Sequence, residues 1–545
     1  MIGVLANQAD VPIVREFFEL FKTPWEFYRD GRGYDLLLCC DDNSCEIPTA
    51  PLVIIYTQPE CPSEDALSGG RNPAADGVRL LSYRGAPLPI YRGSVTFNDV
   101  VDSPLRDLES QQPALLETKR DGTRLIRIGY DLFAEVHYLL KSGQPVGHAA
   151  IPTLDLHVAL LRDLIRSAGV PLVEIPPVPH GYGFLTCLTH DVDHPFVRHH
   201  KFDHTMFGFL YRALIGSTID LVQRRTSASN WFRNVFAALK LPFVYLGLAE
   251  DFWSTFECYL EIEDGRPSTF FIIPFSKTQG RRPDGMAPKT RAAAYGASDV
   301  TDQVRRLSAA GCEVALHGID AWVDDAKGRN ELNAIRSLTG AEEIGVRMHW
   351  LYFNGQSPVV VENAGARYDS TVGYNETVGF RAGTSQVYKP LNATTLLELP
   401  LHIMDTALFY PTHLHLSPKD AEVRINHVID AVVKHNGCLT VNWHDRSIAP
   451  ERLWTDTYVN LVNELTDKGA WFATAGQAIA WFRMRRSVVF ETDAHGTLRM
   501  TMPTRVESLP ALTLRTWDSS GRAIDIDFSE VTEVSPMPEL APSEL

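Results

Sequence analysis

Short apolar runs alternate with amphipathic stretches along most of this chain, a pattern typical of α/β structure. Residues 11–21 predict an amphipathic helix, and residues 125–140 and 154–168 are predicted to be rich in helix. Three short apolar runs of the same region predict strands, at residues 1–5, 34–40 and 51–56. The proline cluster at residues 175–179 predicts a stiff connector. We therefore expect an N-terminal α/β domain of unknown role over residues 1–178.

The alternation resumes after the connector and predicts a parallel barrel or a parallel open sheet over residues 183–483. Residues 195–260 are expected to form a large helical insertion in it. Residues 487–534 predict a small β appendage, and the Pro- and Glu-rich residues 535–545 predict a disordered tail. Five mostly apolar runs are expected as strands buried on both faces, at residues 184–188, 268–274, 313–316, 396–401 and 438–443.

The composition is typical of a soluble globular protein, with 45% apolar and 22% charged residues. The net charge of −16 argues against nucleic-acid binding, which requires a basic surface. The eight cysteines have no C-x-x-C spacing, as expected for buried thiols of a reducing compartment. No signal peptide is visible, and Lys240 and Pro242 interrupt the nearest candidate for a spanning helix. We expect a cytoplasmic protein without a transmembrane segment.

The insertion is basic, in contrast to the acidic chain as a whole. Residues 195–240 carry seven Lys or Arg residues and only two acidic ones. One interpretation is a helical embellishment with a solvated basic face, which is the usual role of a charge run. The other is a lid or rim that attracts an anionic ligand.

The most informative polar stretch is Thr-His-Asp-Val-Asp-His at residues 189–194, which follows a predicted buried strand. Barrel and open-sheet enzymes place their catalytic groups at such strand ends. Alternation along an extended segment turns Asp191 and Asp193 to the same side. Two carboxylates so close resist joint ionisation unless a cation or an arginine lies between them. The alternative interpretation is a polar strand exit whose aspartates cap a helix.

Five further polar clusters follow predicted strands, at residues 316–322, 347–350, 368–384, 399–405 and 441–446. Packing alone would place apolar residues at these strand ends, so the repeated polar clusters indicate a catalytic site. Carboxylate and imidazole groups suit zinc and similar divalent ions. A second carboxylate and a further histidine could act as base and acid. The pattern predicts metal-assisted hydrolysis.

The order of these motifs resembles that of the polysaccharide deacetylases, the NodB-type carbohydrate esterases. The similarity spans about residues 183–480 and implies a distorted parallel (β/α) barrel. It also implies removal of N- or O-linked acetyl groups from sugars with one divalent metal ion, for which we expect zinc. The motifs that carry it are Thr-His-Asp-Val-Asp at 189–193, Thr-Phe-Phe at 269–271, Glu-Val-Ala-Leu-His-Gly at 313–318, Arg-x-x-Trp at 347–350 and Asn-Trp-His at 442–444.

The resemblance implies a role for each matching residue of the catalytic set. Asp191 matches the catalytic base, and Arg347 matches the arginine that orients this base. His444 matches the general acid. Asp405 is the best match to the aspartate that tunes the acid, with Asp445 as its rival.

The metal ligands match less completely. Asp193 matches the metal-binding aspartate and His317 the first histidine of the family's His-x-x-x-His motif, but the second histidine is replaced by Ala321. Because residues three apart share a helix face, Asp320 is predicted as the third ligand. Two histidines from other loops are the alternatives, His349 and His194.

The expected substrate is an acetylated glycan. Trp350 and Trp322 are predicted at the rim of the cleft, where flat rings pack against sugars, and Arg381 is predicted to bind substrate. The basic insertion favours an anionic or lipid-linked glycan of surface-polysaccharide or glycoconjugate biosynthesis. Two other functions remain open at this point, hydrolysis of another non-peptide C–N bond and carbohydrate binding without catalysis.

Overall fold

The computed structural model describes most of the chain, and the predicted tail at 535–545 lies outside the described residues. The described ranges are residues 1–40, 49–57, 71–72, 77–98, 103–120, 122–224, 227–452, 454–492, 498–501, 506–517 and 522–530.

A curled parallel sheet forms the centre of the larger part of the molecule. Its strands pair in the order Val346–Met348, Glu313–Gly318, Ser268–Ile272, Phe184–Val192, Cys438–Asn442 and Ile403–Met404, with Ala470–Phe472 beside Phe184–Val192. Every pairing within it is parallel, and Phe184–Val192 is buried along its whole length. Single parallel bridges through Asp369 and Glu398 continue the curl. The predicted parallel (β/α) class is confirmed.

Helices cover the outside of this sheet, as expected for strands that carry apolar side chains on both faces. Most of them enter one large core cluster with the strands, namely Phe256–Glu263, Thr301–Ala309, Asp325–Thr339, Ser357–Ala364, Asp405–Phe409, Pro418–Lys434 and Thr455–Asp467. The helix Ala475–Ser487 belongs instead to a second cluster, with Leu185, Phe271 and Ala315 of the strands.

The N-terminal part has its own six-stranded sheet. The strand order is Leu115–Arg120, Thr123–Ile128, Leu52–Tyr56, Leu36–Cys40, Ile2–Ala6 and Trp25–Phe27. Its helices are Val11–Phe21, Leu132–Lys141 and Thr153–Ser167. The helix predicted to begin at residue 125 begins only at Leu132, because residues 123–128 pair in parallel with Leu52–Tyr56. Small antiparallel sheets join Arg71–Asn72 to Thr96–Phe97, and Arg79–Tyr83 to Ala86–Ile90 and Leu105–Asp107.

The insertion after the central strand is a pair of helices. The first runs through His204–Leu210, the π-helical Tyr211–Gly216 and Ser217–Val222, and the second is Ala228–Tyr245. Among the described residues, His204–Val222 is long and apolar enough to cross a membrane, by length and composition only. The expectation of no transmembrane segment rested on Lys240 and Pro242, which lie in the second helix and not in this one.

The predicted β appendage contains two hairpins. Phe490–Thr492 pairs with Leu498–Met500, and Thr513–Trp517 pairs with Ala523–Asp527. Strand Thr513–Trp517 also pairs with Val173–Glu174, so the appendage shares a sheet with the residues just before the proline connector.

Candidate active site and metal centre

The central strand delivers two carboxylates to one cavity. Asp191 lies within the strand Phe184–Val192 and Asp193 lies one residue beyond it, and both line the cavity. Val192 between them is fully buried in the core, as the alternation predicts. His190 also points away, because its ring contacts the Glu263 carboxylate at 2.7 Å. The strand therefore separates the site residues from the packing residues.

Three side chains form a cluster that could hold a metal ion. Asp193, His317 and His349 each offer one ligand atom, and these atoms all lie within 4.8 Å of one another. The Asp193 Oδ1 atom is 3.4 Å from His317 Nε2 and 3.5 Å from His349 Nε2. The other ring nitrogen of His317, Nδ1, is 3.0 Å from the Arg347 carbonyl oxygen, which fixes the ring with Nε2 towards the cluster.

The donor set fits a divalent cation. Asp193 Oδ1 is buried and has no hydrogen-bond partner among the residues that the structure describes, which is costly for a carboxylate oxygen that no cation neutralises. Burial lowers the pKa of His349 to about 3, so its ring is neutral at physiological pH and can donate a lone pair. Two imidazoles and one carboxylate with open positions are typical of catalytic zinc sites.

The prediction of Asp320 as the third ligand is wrong, and the structure places His349 in the cluster instead. Residues 319–324 form a turn, and the next helix begins only at Asp325, so helical spacing from His317 does not apply. The Asp320 carboxylate contacts Lys327 Nζ at 2.6 Å and accepts the backbone N–H of Arg281 at 2.7 Å.

His194, the other alternative ligand, lies at the cavity wall outside the cluster. Its Nδ1 is 3.1 Å from His200 Nε2, and its backbone N–H donates to Asp445.

Asp191 is held as a carboxylate beside the cluster. Arg347 Nη1 donates to its Oδ1 at 3.0 Å, and the Asn442 side-chain amide donates to its Oδ2 at 2.8 Å. Burial alone would raise the pKa of Asp191, but the His317 ring and the Arg347 guanidinium hold it below its ordinary value. No role was predicted for Asn442, although it begins the Asn-Trp-His motif at the end of a strand. Asp191 is thus ionised and oriented.

His444 lies beside the cluster and is paired with Asp405. Its Nδ1 is 2.6 Å from Asp405 Oδ1, and its backbone N–H donates to Asp405 Oδ2 at 2.7 Å. Burial would lower the pKa of His444, but the Asp405 carboxylate outweighs it and raises the pKa to about 10. The rival Asp445 instead accepts the backbone N–H of His194. His444 Nε2 points towards Asp193, 3.9 Å from its Oδ2.

The cavity around these groups has a volume of about 410 Å³ and an aromatic rim. Trp350 lines it and is 37% exposed, and Tyr352 stands beside it. Trp322 was predicted at the rim, but it is fully buried and packs in the core against Tyr352. Trp443 is also fully buried, as expected for a residue within an apolar run.

Arg381, the other predicted substrate-binding residue, lies away from the cavity. Its guanidinium donates to the Gly373 carbonyl at 2.9 Å and stacks over the ring of Phe353. Its backbone carbonyl accepts the N–H of Gln144 from the N-terminal part. The side chain is therefore used for packing within the larger part, and the backbone carbonyl joins this part to the N-terminal one.

Comparisons with known proteins give structural likeness only. No family model matches the chain, and no curated protein matches it. A solved structure described as a polysaccharide deacetylase from Mycobacterium smegmatis matches with 18% identity and a TM-score of 0.36, over 61% of this chain and 99% of that one. Puue allantoinase matches with 14% identity and a TM-score of 0.35, over 56% and 92%.

The CE4 family pseudoenzyme BA3943 from Bacillus anthracis is a third structural neighbour. It matches with 10% identity and a TM-score of 0.27, over 54% of this chain and 65% of that one. These neighbours include polysaccharide deacetylases, but all three scores are below 0.5. The functional conclusion therefore depends on the geometry of the site.

Proposed function

We propose that this protein is a metal-dependent hydrolase that removes acetyl groups from an N- or O-acetylated carbohydrate. The observation that carries the proposal is that a metal-ligand set, a proton acceptor and a proton donor all line one cavity. A ligand set of two histidines and an aspartate lies next to an ionised carboxylate, Asp191, and a protonated imidazole, His444. This is the arrangement that hydrolysis of an acyl group needs, since water must lose a proton and the leaving group must gain one.

The chain's own residues divide the proton transfers. Asp191, fixed by Arg347 and Asn442, accepts the proton of the attacking water. His444 carries a proton at Nε2 at neutral pH, because Asp405 stabilises the imidazolium through Nδ1, and it donates this proton to the leaving amine or alcohol. Asp193, His317 and His349 would hold the divalent ion, which supplies Lewis-acid activation of the acyl group and of water.

The cavity suits a sugar ring. Its volume lies in the range of small-molecule sites, and the exposed face of Trp350 offers a flat apolar surface beside the polar groups. The cavity lining also carries cationic groups, among them Arg446 and Arg452. Arg446 is buried, and within the described residues its Nε and Nη1 atoms have no hydrogen-bond partner. An acidic or phosphate-bearing glycan would satisfy these donors, so we include an anionic group in the proposed substrate.

The experiment is a screen for acetate release from acetylated sugars, with zinc-loaded enzyme. The panel should contain N-acetylhexosamines, their polymers, O-acetylated sugars and phosphate-bearing forms of each. We expect acetate release that a chelator abolishes, and that Asp191→Asn lacks although it binds the same metal.

Two results would redirect the proposal. If the metal-loaded protein releases no acetate but hydrolyses cyclic or linear non-peptide amides, the site serves another C–N bond. If it binds glycans without releasing any product, it is a carbohydrate-binding protein.

A further inference from the structure

The helical insertion has an unusual surface. We define the hairpin as residues 202–248, which contain the helices His204–Val222 and Ala228–Tyr245. Among the described residues, 23 large apolar side chains are exposed, and thirteen of them lie in the hairpin. Representative members are 53–78% exposed, namely Phe207, Ile215, Val222, Phe232, Phe236 and Leu246. Monomeric soluble proteins rarely collect exposed apolar groups in this way, so the surface indicates a partner.

The exposed groups form stripes rather than scattered positions. On the first helix they recur from Phe207 to Val222 at helical spacing, and on the second they recur from Phe232 to Phe243. The opposite stripes pack between the two helices, where Phe209 and Leu241 belong to one buried cluster. Each helix is therefore apolar on two sides, and in the part of the chain that the structure describes one of these sides is largely exposed. Folding of the hairpin does not explain the outer stripes.

The basic charge of the hairpin indicates which kind of partner its outer apolar stripes would bind. Residues 195–240 hold seven basic and two acidic residues, whereas the whole chain has a net charge of −16. Arg198 and Lys201 are exposed near the start of the hairpin, and Arg224 and Arg233 are exposed near the turn that joins its helices. Apolar stripes flanked by Lys and Arg are the mark of helices that lie in the headgroup region of a bilayer. A basic patch on an acidic protein is attracted to anionic lipid headgroups.

The hairpin also lies beside the cavity. Arg212 lies on the first helix of the hairpin. Its pKa is lowered mainly by burial and further by the positive charges of Arg446 and Arg452, which both line the cavity. The hairpin core further includes Ala449 from the loop after His444. A surface bound by the hairpin would therefore lie near the site entrance.

We propose that the hairpin docks this protein on a bilayer that contains anionic phospholipid. The outer apolar stripes enter the boundary between headgroups and acyl chains, and the basic residues contact lipid phosphates. The inner stripes stay packed against each other, so the hairpin lies in the interface without crossing the membrane. This docking does not depend on the reaction, but it would bring the cavity to glycans attached to lipid.

The test is flotation of the purified full chain with vesicles. One set contains phosphatidylcholine alone, and the other contains phosphatidylcholine with phosphatidylglycerol. We expect at least about tenfold more protein with the anionic vesicles, since several basic residues near such a surface are attracted to its phosphates. The triple variant Phe232→Ser, Phe236→Ser, Phe243→Ser should lower binding to anionic vesicles about tenfold or more.

A matched control replaces three apolar residues of similar exposure elsewhere, Val146→Ser, Val423→Ser and Val489→Ser. This control should float like the unaltered protein. The charge variant Lys201→Glu, Arg224→Glu, Arg233→Glu should lose the preference for phosphatidylglycerol. Circular dichroism of each variant checks that the fold is kept, and all replaced side chains are exposed.

Three outcomes would overturn the proposal. The first is no flotation of the unaltered protein with either vesicle type. The second is an equal loss of binding in the hairpin and control variants. The third is self-association that the hairpin variant abolishes while vesicles have no effect, which would assign the surface to a second copy of the chain.

Discussion

The strand-end site and the hairpin depart from ordinary burial in opposite directions. At the site, Asp191, His317 and Arg347 are almost completely buried although all three are polar. On the hairpin, Phe232 and Phe236 are 64% and 68% exposed although both are apolar. Each arrangement costs folding free energy compared with the usual distribution of residues.

The difference shows how each region balances this cost. The site satisfies most of its buried groups internally, through the bonds of Arg347, Asn442 and Asp405, and one carboxylate oxygen of Asp193 has no hydrogen-bond partner among the described residues. The hairpin buries only its inner stripes, and its outer surface stays largely exposed in the described structure. The first pattern fits a small cation at a fixed point, and the second fits an extended apolar phase.

The largest effect is expected from Asp191→Asn. This change keeps the shape and the contact with Asn442 but removes the proton acceptor, so kcat should fall by about 10²–10⁴. Metal content, measured by elemental analysis, should stay the same, because Asp191 is outside the Asp193 cluster. If Asp191→Asn kept full activity, the buried charges of the site would have a structural role and no catalytic one.

Aromatic substitutions compare the buried and exposed environments directly. Trp322→Ala should lower the free energy of unfolding by about 3–5 kcal/mol, because it empties a fully buried position. Phe236→Ser on the hairpin should change it by only about 0.5 kcal/mol, because the ring makes few contacts within the fold. Urea unfolding of the two variants measures both values. Similar losses would show that the hairpin surface is part of the folded core.

Asp405→Asn should change both the rate and its dependence on pH. The Asp405 carboxylate raises the pKa of His444 to about 10, so the acid stays protonated up to high pH. Without that negative charge the pKa falls, and activity should be lost at lower pH on the basic side of the profile. We also expect kcat to fall about 10–100-fold. Asp445→Asn is the matched control and should shift the basic limb much less, since Asp445 bonds to the His194 backbone.

The smallest effect is expected from Trp350→Ala. Its exposed ring is proposed to pack against the sugar, so KM should rise about two- to tenfold, as the loss of one aromatic contact implies. Because Trp350 does not touch the proton-transfer groups, kcat should stay within about twofold. Steady-state kinetics with the acetylated sugar from the screen separates the two values. A fall in kcat at constant KM would remove the packing role.

Much of the site could be predicted from the sequence because parallel strands end at one edge. Motifs that follow strands in the chain must then meet in space, as His317, Arg347 and His444 do. Asp320 was mispredicted because helical spacing was assumed in a segment that turns. That turn is fixed by Glu331, which lies on the following helix and accepts the backbone N–H groups of Ile319 and Asp320. No local sequence pattern reveals this contact.

The same limit applies to His349 and to the hairpin. His349 enters the cluster just before an irregular turn in which Trp350 and Leu351 have positive φ values of 65° and 52°, without a glycine to signal it. The exposure of the hairpin stripes also depends on what packs against them. Local pattern gives the helices and their basic residues, but not which apolar side stays uncovered.

The most direct test of the central claim is the metal content of three purified proteins, measured by elemental analysis after zinc loading and desalting. The unaltered chain should retain about one equivalent, as expected for a single three-ligand site. His349→Ala should retain at least about tenfold less, whereas Asp320→Ala should bind like the unaltered chain. Loss of the ion in Asp320→Ala with full retention in His349→Ala, or no ion in any of the three, would contradict the account.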